Sequence, residues 1–347
     1  MKMNFLRRSV WTRLGGAALI ATLAFSAAEA RDHHVPGTGQ IVAKVGDDFE
    51  DAEWKYNYNL PKASVFNDKA ARHPGGGSVN GRLVEAMYRG QPDVIKRVET
   101  PEGGLEGSKG SLLIRTLNSG IPGAPSMKQE QDDLLVPFRS RIGRSVPMSC
   151  NPSVVVRVFF APFEKWEQHT GSSFAFRADC RSLSTKAPGM MEEFWPGLFV
   201  QFEASRDRGG AGPKAYWIIR CDESGRDFRG PDITTLGWWT LGMSFTADGR
   251  VHYYASPGVD DLTEKDFIAS HVPYGFRSTQ LEMFFFNCCS VDSGRSWSTP
   301  WIIDDARLYV KTMPTASMHE YNLPVRDPHK DDEKSKPSQP RRRLFGR

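Results

Sequence analysis

From Ser153 onward the chain runs in short apolar or alternating segments broken by turn residues, and no apolar stripe at three-four spacing lasts beyond about three turns. Neighbouring side chains on a strand point to opposite faces, so segments of this kind bury one face each and must be stacked sheet on sheet. Strands are expected at 154–160, 173–179, 197–203, 215–221, 238–245, 250–255, 281–288 and 301–310, and ahead of them at 48–54, 83–87 and 111–116. Ala247-Asp248-Gly249-Arg250 reads as a tight hairpin turn, because Asp-Gly takes positive φ readily, so the strands at Trp239 and Val251 should pair. One short helix is expected within 260–269. With 347 residues, 39% of them hydrophobic, the chain can bury a full core. The fold class is all-β.

The first 30 residues read as a secretory leader. Lys2, Arg7, Arg8 and Arg13 precede an apolar run that ends in Ala28-Glu29-Ala30, and Arg7-Arg8 also fits a twin-arginine signal. The expected organisation is a signal peptide (1–30), a linker (31–44), a β-sandwich domain (45–312) and a disordered charged tail (313–347) in an exported protein, periplasmic or extracellular. Without the leader the net charge falls from +4 to +1, and since residues 321–347 carry +4 the body between is left at about −3. No basic stripe with interleaved aromatics is left in the body, which excludes nucleic acid as partner, and no further stretch is long and apolar enough to span a membrane. Five cysteines remain, with Cys150–Cys180 or Cys221–Cys288 as disulfide pairings open to an exported chain; no CxxC spacing exists for a zinc ribbon.

Alternate residues sort into two faces. Val154, Val156, Val158, Phe160, Leu281, Met283 and Phe285 belong with the core, while Arg157, Arg177, Gln201, Arg220, Trp238, His252 and Tyr254 fall on the opposite face. That second face contains no Lys, whereas Arg, Trp, Tyr and His recur on it, and these residues stack on and hydrogen-bond to ligands. The expectation is a polysaccharide or glycan partner bound in one shared trough, with sugar rings on Trp238 and Tyr254 and the arginines favouring an acidic glycan. The plain alternative is a solvated or loop-covered sheet face. No GxSxG, HExxH, GxGxxG or P-loop spacing is present.

Asp47-Asp48-Phe49-Glu50-Asp51-x-x-Trp54, Gly107 to Ile114 with Gly107-Ser108-Lys109-Gly110-Ser111, and Trp301-Ile302-Ile303-Asp304-Asp305-Ala306-Arg307-Leu308, in that order, resemble the concanavalin A-like lectin/glucanase superfamily, including laminin-G-like jelly rolls. The resemblance covers roughly residues 45 to 312 and implies a jelly-roll sandwich of two curved antiparallel sheets with long loops, first and last strands adjacent and a glycan-binding concave face. It would gather Asp48, Glu50, Asp304 and Asp305, either around a structural Ca²⁺ or as caps on backbone amides; no other cofactor is implied.

A noncatalytic binding module is the leading reading. The alternatives on the same face are a polysaccharide lyase acting by β-elimination on a uronate polymer, with Arg157, Gln201, His252 and Tyr254 as working groups, or a glycoside hydrolase, whose Glu-x-Asp-x-x-Glu signature is missing. Ser290-Val291-Asp292-Ser293-Gly294-Arg295-Ser296-Trp297 resembles the Asp-box of sialidase-type propellers. Without repeats it reads as a single hairpin, and a propeller is a remote alternative.

Overall fold

The computed structural model describes residues 33–63, 73–120 and 123–326; the leader and the far end of the tail lie outside them. In chain order the strands are β1 (Gln40–Asp47), β2 (Tyr56–Asn57), β3 (Gly77–Ser78), β4 (Val84–Glu85), β5 (Val94–Val98), β6 (Ser111–Arg115), β7 (Glu130–Pro137), β8 (Val146–Pro147), β9 (Pro152–Phe160), β10 (Gly171–Leu183), β11 (Met191–Phe194), β12 (Gly197–Glu203), β13 (Lys214–Arg220), β14 (Phe228–Ile233), β15 (Gly237–Phe245), β16 (Val251–Pro257), β17 (Phe267–His271), β18 (Gln280–Ser290) and β19 (Trp301–Val310).

They form a jelly-roll sandwich of two antiparallel sheets. The first sheet runs β17-β16-β15-β9-β19-β6-β5, with β1 also on β19. The second runs β14-β13-β12-β10-β18-β7-β4-β3-β2, with β11 on β10 and β8 on β18. First and last strands are therefore neighbours, with Gln40 opposite Val310 and Asp47 opposite Ala306. The β15–β16 hairpin closes as its Asp-Gly turn requires, with Phe245 opposite Val251 and Trp239 opposite Pro257.

Between the sheets lie Val154, Val156, Val158 and Phe160 of β9, Phe174 and Phe176 of β10, Trp217 and Ile219 of β13, and Trp301 and Ile303 of β19. Phe160 touches the rings of Trp166, Trp217, Trp239 and Trp301 at centroid distances of 5.2–6.0 Å. Such aromatic contacts add about 0.5–1.5 kcal/mol each beyond burial.

Two bulges reset the alternation. On β18 an extra residue lies opposite the Asp179–Cys180 step, so Leu281 faces the core but Phe284, Phe286 and Cys288 take over from there. Met283 and Phe285, expected inside, consequently point outward. On β19 the register slips between Asp304 and Arg307, with Asp305 at φ 46°, and the interior set passes from Trp301 and Ile303 to Ala306, Leu308 and Val310.

Other expectations change too. Residues 48–54 form a loop, because Asp47 accepts hydrogen bonds from the Phe49 amide (3.0 Å) and the Trp54 indole (3.0 Å) and folds the chain back. The helix expected within 260–269 is a single 3-10 turn, Glu264–Asp266, capped by Thr263 and followed directly by β17. The sandwich starts at Gln40, not at 45. Residues 313–326 also pack on it: the Glu320 carboxylate accepts from the Ser145 amide (2.9 Å), and the Tyr321 amide donates to Gln280 Oε1 (3.2 Å). All five cysteines are buried thiols, so neither expected disulfide is formed.

The Asp-box segment joins β18 of one sheet to β19 of the other, so it is a crossing between layers and not a hairpin. Its aspartate does bind backbone amides, but on another loop: Asp292 accepts from Ser119 (3.0 Å) and Ser126 (2.6 Å). Trp297 does not plug a turn. It is 39% exposed, with the Arg115 guanidinium 5.3 Å above its ring. A two-layer sandwich leaves no place for the propeller alternative.

Candidate functional site

The seven residues expected to share a trough occupy the outer faces of two different sheets. Arg157, Trp238, His252 and Tyr254 stand on β9, β15 and β16 of the first sheet, and Arg177, Gln201 and Arg220 on β10, β12 and β13 of the second. Alternation assigns a side chain to the inside or outside of its own sheet and carries no information on which sheet that is.

The first sheet's outer face is roofed by loops. Arg157 is held by Asp305 (2.6 Å) and Asp261 (2.7 Å), and the Trp238 indole donates to Pro101 O (3.3 Å) while the ring packs edge-on against Phe159. Tyr254 is fully buried beside Phe267, and His252 is buried with Nε2 3.1 Å from Thr246 Oγ1. At Gly242 a Cβ would lie 2.5 Å from Leu262 and 2.7 Å from Pro36, which measures how tightly the roof is seated. Trp238 and Tyr254 therefore offer no ring to a sugar. The lyase quartet is likewise not assembled, since Gln201 lies on the other sheet.

The acidic set does converge. Asp48, Glu50, Asp304 and Asp305 line one open cleft of about 270 Å³ with Leu105, Glu106, Gly107 and Ser108. Its carboxylates are already engaged. Glu50 accepts from the amides of Lys109 (3.0 Å) and Gly110 (3.2 Å), Asp304 from Ser108 Oγ (2.8 Å) and the Asp305 amide (2.7 Å), and Arg307 bridges Asp48 (2.8 Å) and Asp305 (2.6 Å). Burial opposes ionisation of Asp48, but Arg307 outweighs it and holds that carboxyl below its usual range; burial pushes Asp304 up to about 6. Among the described residues no group of three or more acidic, His or Cys side chains is arranged to hold a metal ion. Glu50 and Asp304 thus cap backbone amides, as the capping alternative has it.

The second sheet's outer face has a different chemistry. Register places Asp133, Asn287, Ala175, Phe199 and Ile218 in one row across β7, β18, β10, β12 and β13, and Leu135, Phe285, Arg177, Gly197 and Arg220 in the next. Ala175 and Gly197 leave the centre low. A Cβ on Gly197 would lie 2.5 Å from Arg177 Cγ and 2.7 Å from Phe176 O, so only glycine lets the Arg177 side chain cross there.

Two guanidinium groups converge on this floor. Arg177 lies 5.2 Å from the ring centroids of both Phe199 and Phe285, and Arg220 lies 4.7 Å from that of Phe199. Arg220 is neutralised by a two-pronged pair with Asp227 (2.6–3.2 Å). Arg177 is only 6% exposed and donates Nε and Nη2 to a neutral acceptor, Trp195 O (3.2 and 2.9 Å); among the described residues it has no carboxylate within ion-pair distance. Burial, and then repulsion by Arg220, push its pKa down to about 10 against the attraction of Asp133.

Beside it, Asp133 accepts from Asn287 Nδ2 (2.6 Å) and Gln131 Nε2 (3.1 Å), and burial pushes its carboxyl up. Asn287 Oδ1 is buried without a hydrogen-bond partner among the described residues. Gln201, half-buried, accepts from Ser172 Oγ (3.2 Å) and lies opposite Tyr216. The sequence singled out Arg177, Gln201 and Arg220 but missed Asp133 and Asn287. Asp133 sits on a strand too mixed in polarity to be read, and Asn287 lies beyond the β18 bulge.

No protein-family model matches this sequence, and no curated protein is detectably similar to it. Solved structures similar in fold include a carbohydrate esterase of a Shiga toxin-encoding bacteriophage (8% identity, 67% of this chain and 91% of that one, TM-score 0.40). Others are an alginate lyase of Pseudomonas aeruginosa (8%, 63% and 87%, 0.37) and one of Klebsiella pneumoniae (9%, 78% and 99%, 0.37). The activities named are those proteins' own.

Proposed function

We propose that the chain is a glycan-binding module of an exported protein, and that it receives an acidic polysaccharide on the outer face of the second sheet, with a uronate carboxylate at Arg177. The observation that carries this reading is a buried arginine whose only hydrogen-bond acceptor among the described residues is a neutral carbonyl, with a second arginine on the same floor and the nearby carboxylate of Asp133 outside ion-pair distance and itself disfavoured as an anion by burial. A buried cation without a counter-ion in direct contact is costly, and a carboxylate ligand supplies that contact along with further guanidinium hydrogen bonds. Arg220 stands close enough to reinforce the field, and the half-buried carboxamide of Gln201 suits a sugar hydroxyl. Binding without chemistry is preferred to β-elimination because the Arg157, Gln201, His252 and Tyr254 set is split between two sheets.

The test is calorimetric titration of the purified protein with alginate, pectate and glucuronan oligosaccharides and with neutral glucans. Binding of uronates that weakens with salt, and none of neutral glucans, is expected. Equal binding of neutral glucans, or no uronate binding, refutes the assignment. Appearance of the ultraviolet absorbance of an unsaturated uronate end would replace binding by lyase action.

A further inference from the structure

On the reverse side of β7 from that floor, inside the sandwich, a lysine and two aspartates are packed together. Asp132 of β7 points inward on the same side as Leu134 and Val136 and is fully buried. Lys62, 1% exposed, reaches it from the segment after β2, placing Nζ 2.5 Å from Asp132 Oδ2, 2.9 Å from Asp93 Oδ1 and 2.7 Å from Asn118 O. The Gly120 amide donates to Asp132 Oδ1 (2.9 Å). Thr116 Oγ1 hydrogen-bonds to Asp132 Oδ2 and to Asp93 Oδ2 (3.2 Å), linking the two carboxylates.

We propose that Lys62 and Asp132 are joined by an amide between Nζ and Cγ, formed within the folded chain with Asp93 moving the protons. Away from water an ion pair loses its advantage over the neutral amine and acid, so proton transfer within the pair gives a nucleophile and an electrophile already in contact. Burial pushes the Asp132 carboxyl up to about 8. Burial opposes the Lys62 cation, but Asp132 and Asp93 outweigh it and hold its pKa above the usual value, so Asp93 has to take a proton from Nζ before the amine attacks.

Nζ attacks Cγ, and the negative charge that develops on Oδ1 meets the Gly120 N–H. Two of the three ammonium hydrogens leave with Oδ2 as water, passing through Asp93 and the Thr116 hydroxyl. The third remains as the amide N–H. The step consumes no oxidant or co-reactant. Fixed contact replaces a bimolecular encounter, for which effective molarities reach about 10⁵–10⁸ M, and the surrounding core keeps water from reversing the reaction.

Tryptic digestion of the denatured full chain, read by mass spectrometry, tests this directly. The expected product joins residues 56–69 to residues 129–139, one water lighter than the two peptides together and uncleaved after Lys62. Free peptides 56–62 and 129–139 at their full masses would overturn the proposal. In Asp93→Asn the linked species should fall at least tenfold while circular dichroism still reports the native sheet. Full linkage in that variant would overturn the role given to Asp93. Should the variant fail to fold, the wild-type digest decides by itself.

Discussion

Replacing Arg177 by Met separates ligand binding from stability in a way few buried substitutions do. A guanidinium whose pKa is pushed down to about 10 is worse placed in the folded than in the unfolded chain by about 3 kcal/mol at neutral pH. The sign follows from linkage. The folded protein releases this proton more readily, so stability rises with pH only from about 10 up to the ordinary guanidinium range, and below that window the full penalty applies. Met relieves the penalty while filling the space between Phe199 and Phe285. It loses the charged donor to Trp195 O, about 1.5–3 kcal/mol, and two cation–π contacts of about 0.5–1 kcal/mol each.

These effects largely offset one another, leaving a net change from about 0.5 kcal/mol of gain to about 2 kcal/mol of loss and a Tm shift of about 4–8 °C at most. Uronate affinity should meanwhile fall by about 2–5 kcal/mol, or 30-fold and more, because the partner of a desolvated carboxylate is gone. Differential scanning calorimetry and isothermal titration on the same preparation measure both. Unchanged affinity would refute the placement of the site, and a stability loss above about 3 kcal/mol, the usual cost of truncating a buried side chain, would refute the claim that Arg177 lacks compensation.

Gly197→Ala should also weaken uronate binding, because the new Cβ displaces Arg177; retained affinity with a normal melt would show that the crossing at Gly197 is not needed. Trp238→Ala removes a buried indole and should cost about 3–5 kcal/mol of stability with affinity intact in the folded fraction, whereas loss of binding at full stability would restore the first sheet's face as the site. Asp304, with a pKa raised by burial from 3.8 to about 6, favours the folded state below pH 3.8 and loses that contribution as pH rises through about 6. Asp304→Asn should therefore flatten the dependence of Tm on pH across this window, and an unchanged slope would contradict it. Chelator should leave Tm unaltered, since Arg307 and backbone amides already satisfy the acidic cleft; a clear drop would assign a cation there.

The eight strands expected from 154 to 310 were legible because alternation between an apolar core and its opposite face is a local property of a half-buried strand. The earlier strands were harder. β1 carries few apolar residues and a wide register break against β19, and β7 places Asp132 inward to meet Lys62, so neither shows clean alternation. The acidic cleft was readable only through the family resemblance, which sets the first and last strands side by side as β1 and β19 are. Its compensation by Arg157 and Arg307 was not, since those arginines act from neighbouring strands and across the β19 bulge.

By itself, the sequence determined that the chain is a stack of antiparallel sheets and which residues stand on the inside or outside of most later strands. Tertiary structure decided to which sheet each strand belongs, and that divided the seven polar residues into a roofed set on one layer and a cationic floor on the other. Strand pairing is set by contacts between residues far apart in the chain, and a single bulge inverts every side chain beyond it. Neither leaves a periodic trace in the residues it rearranges.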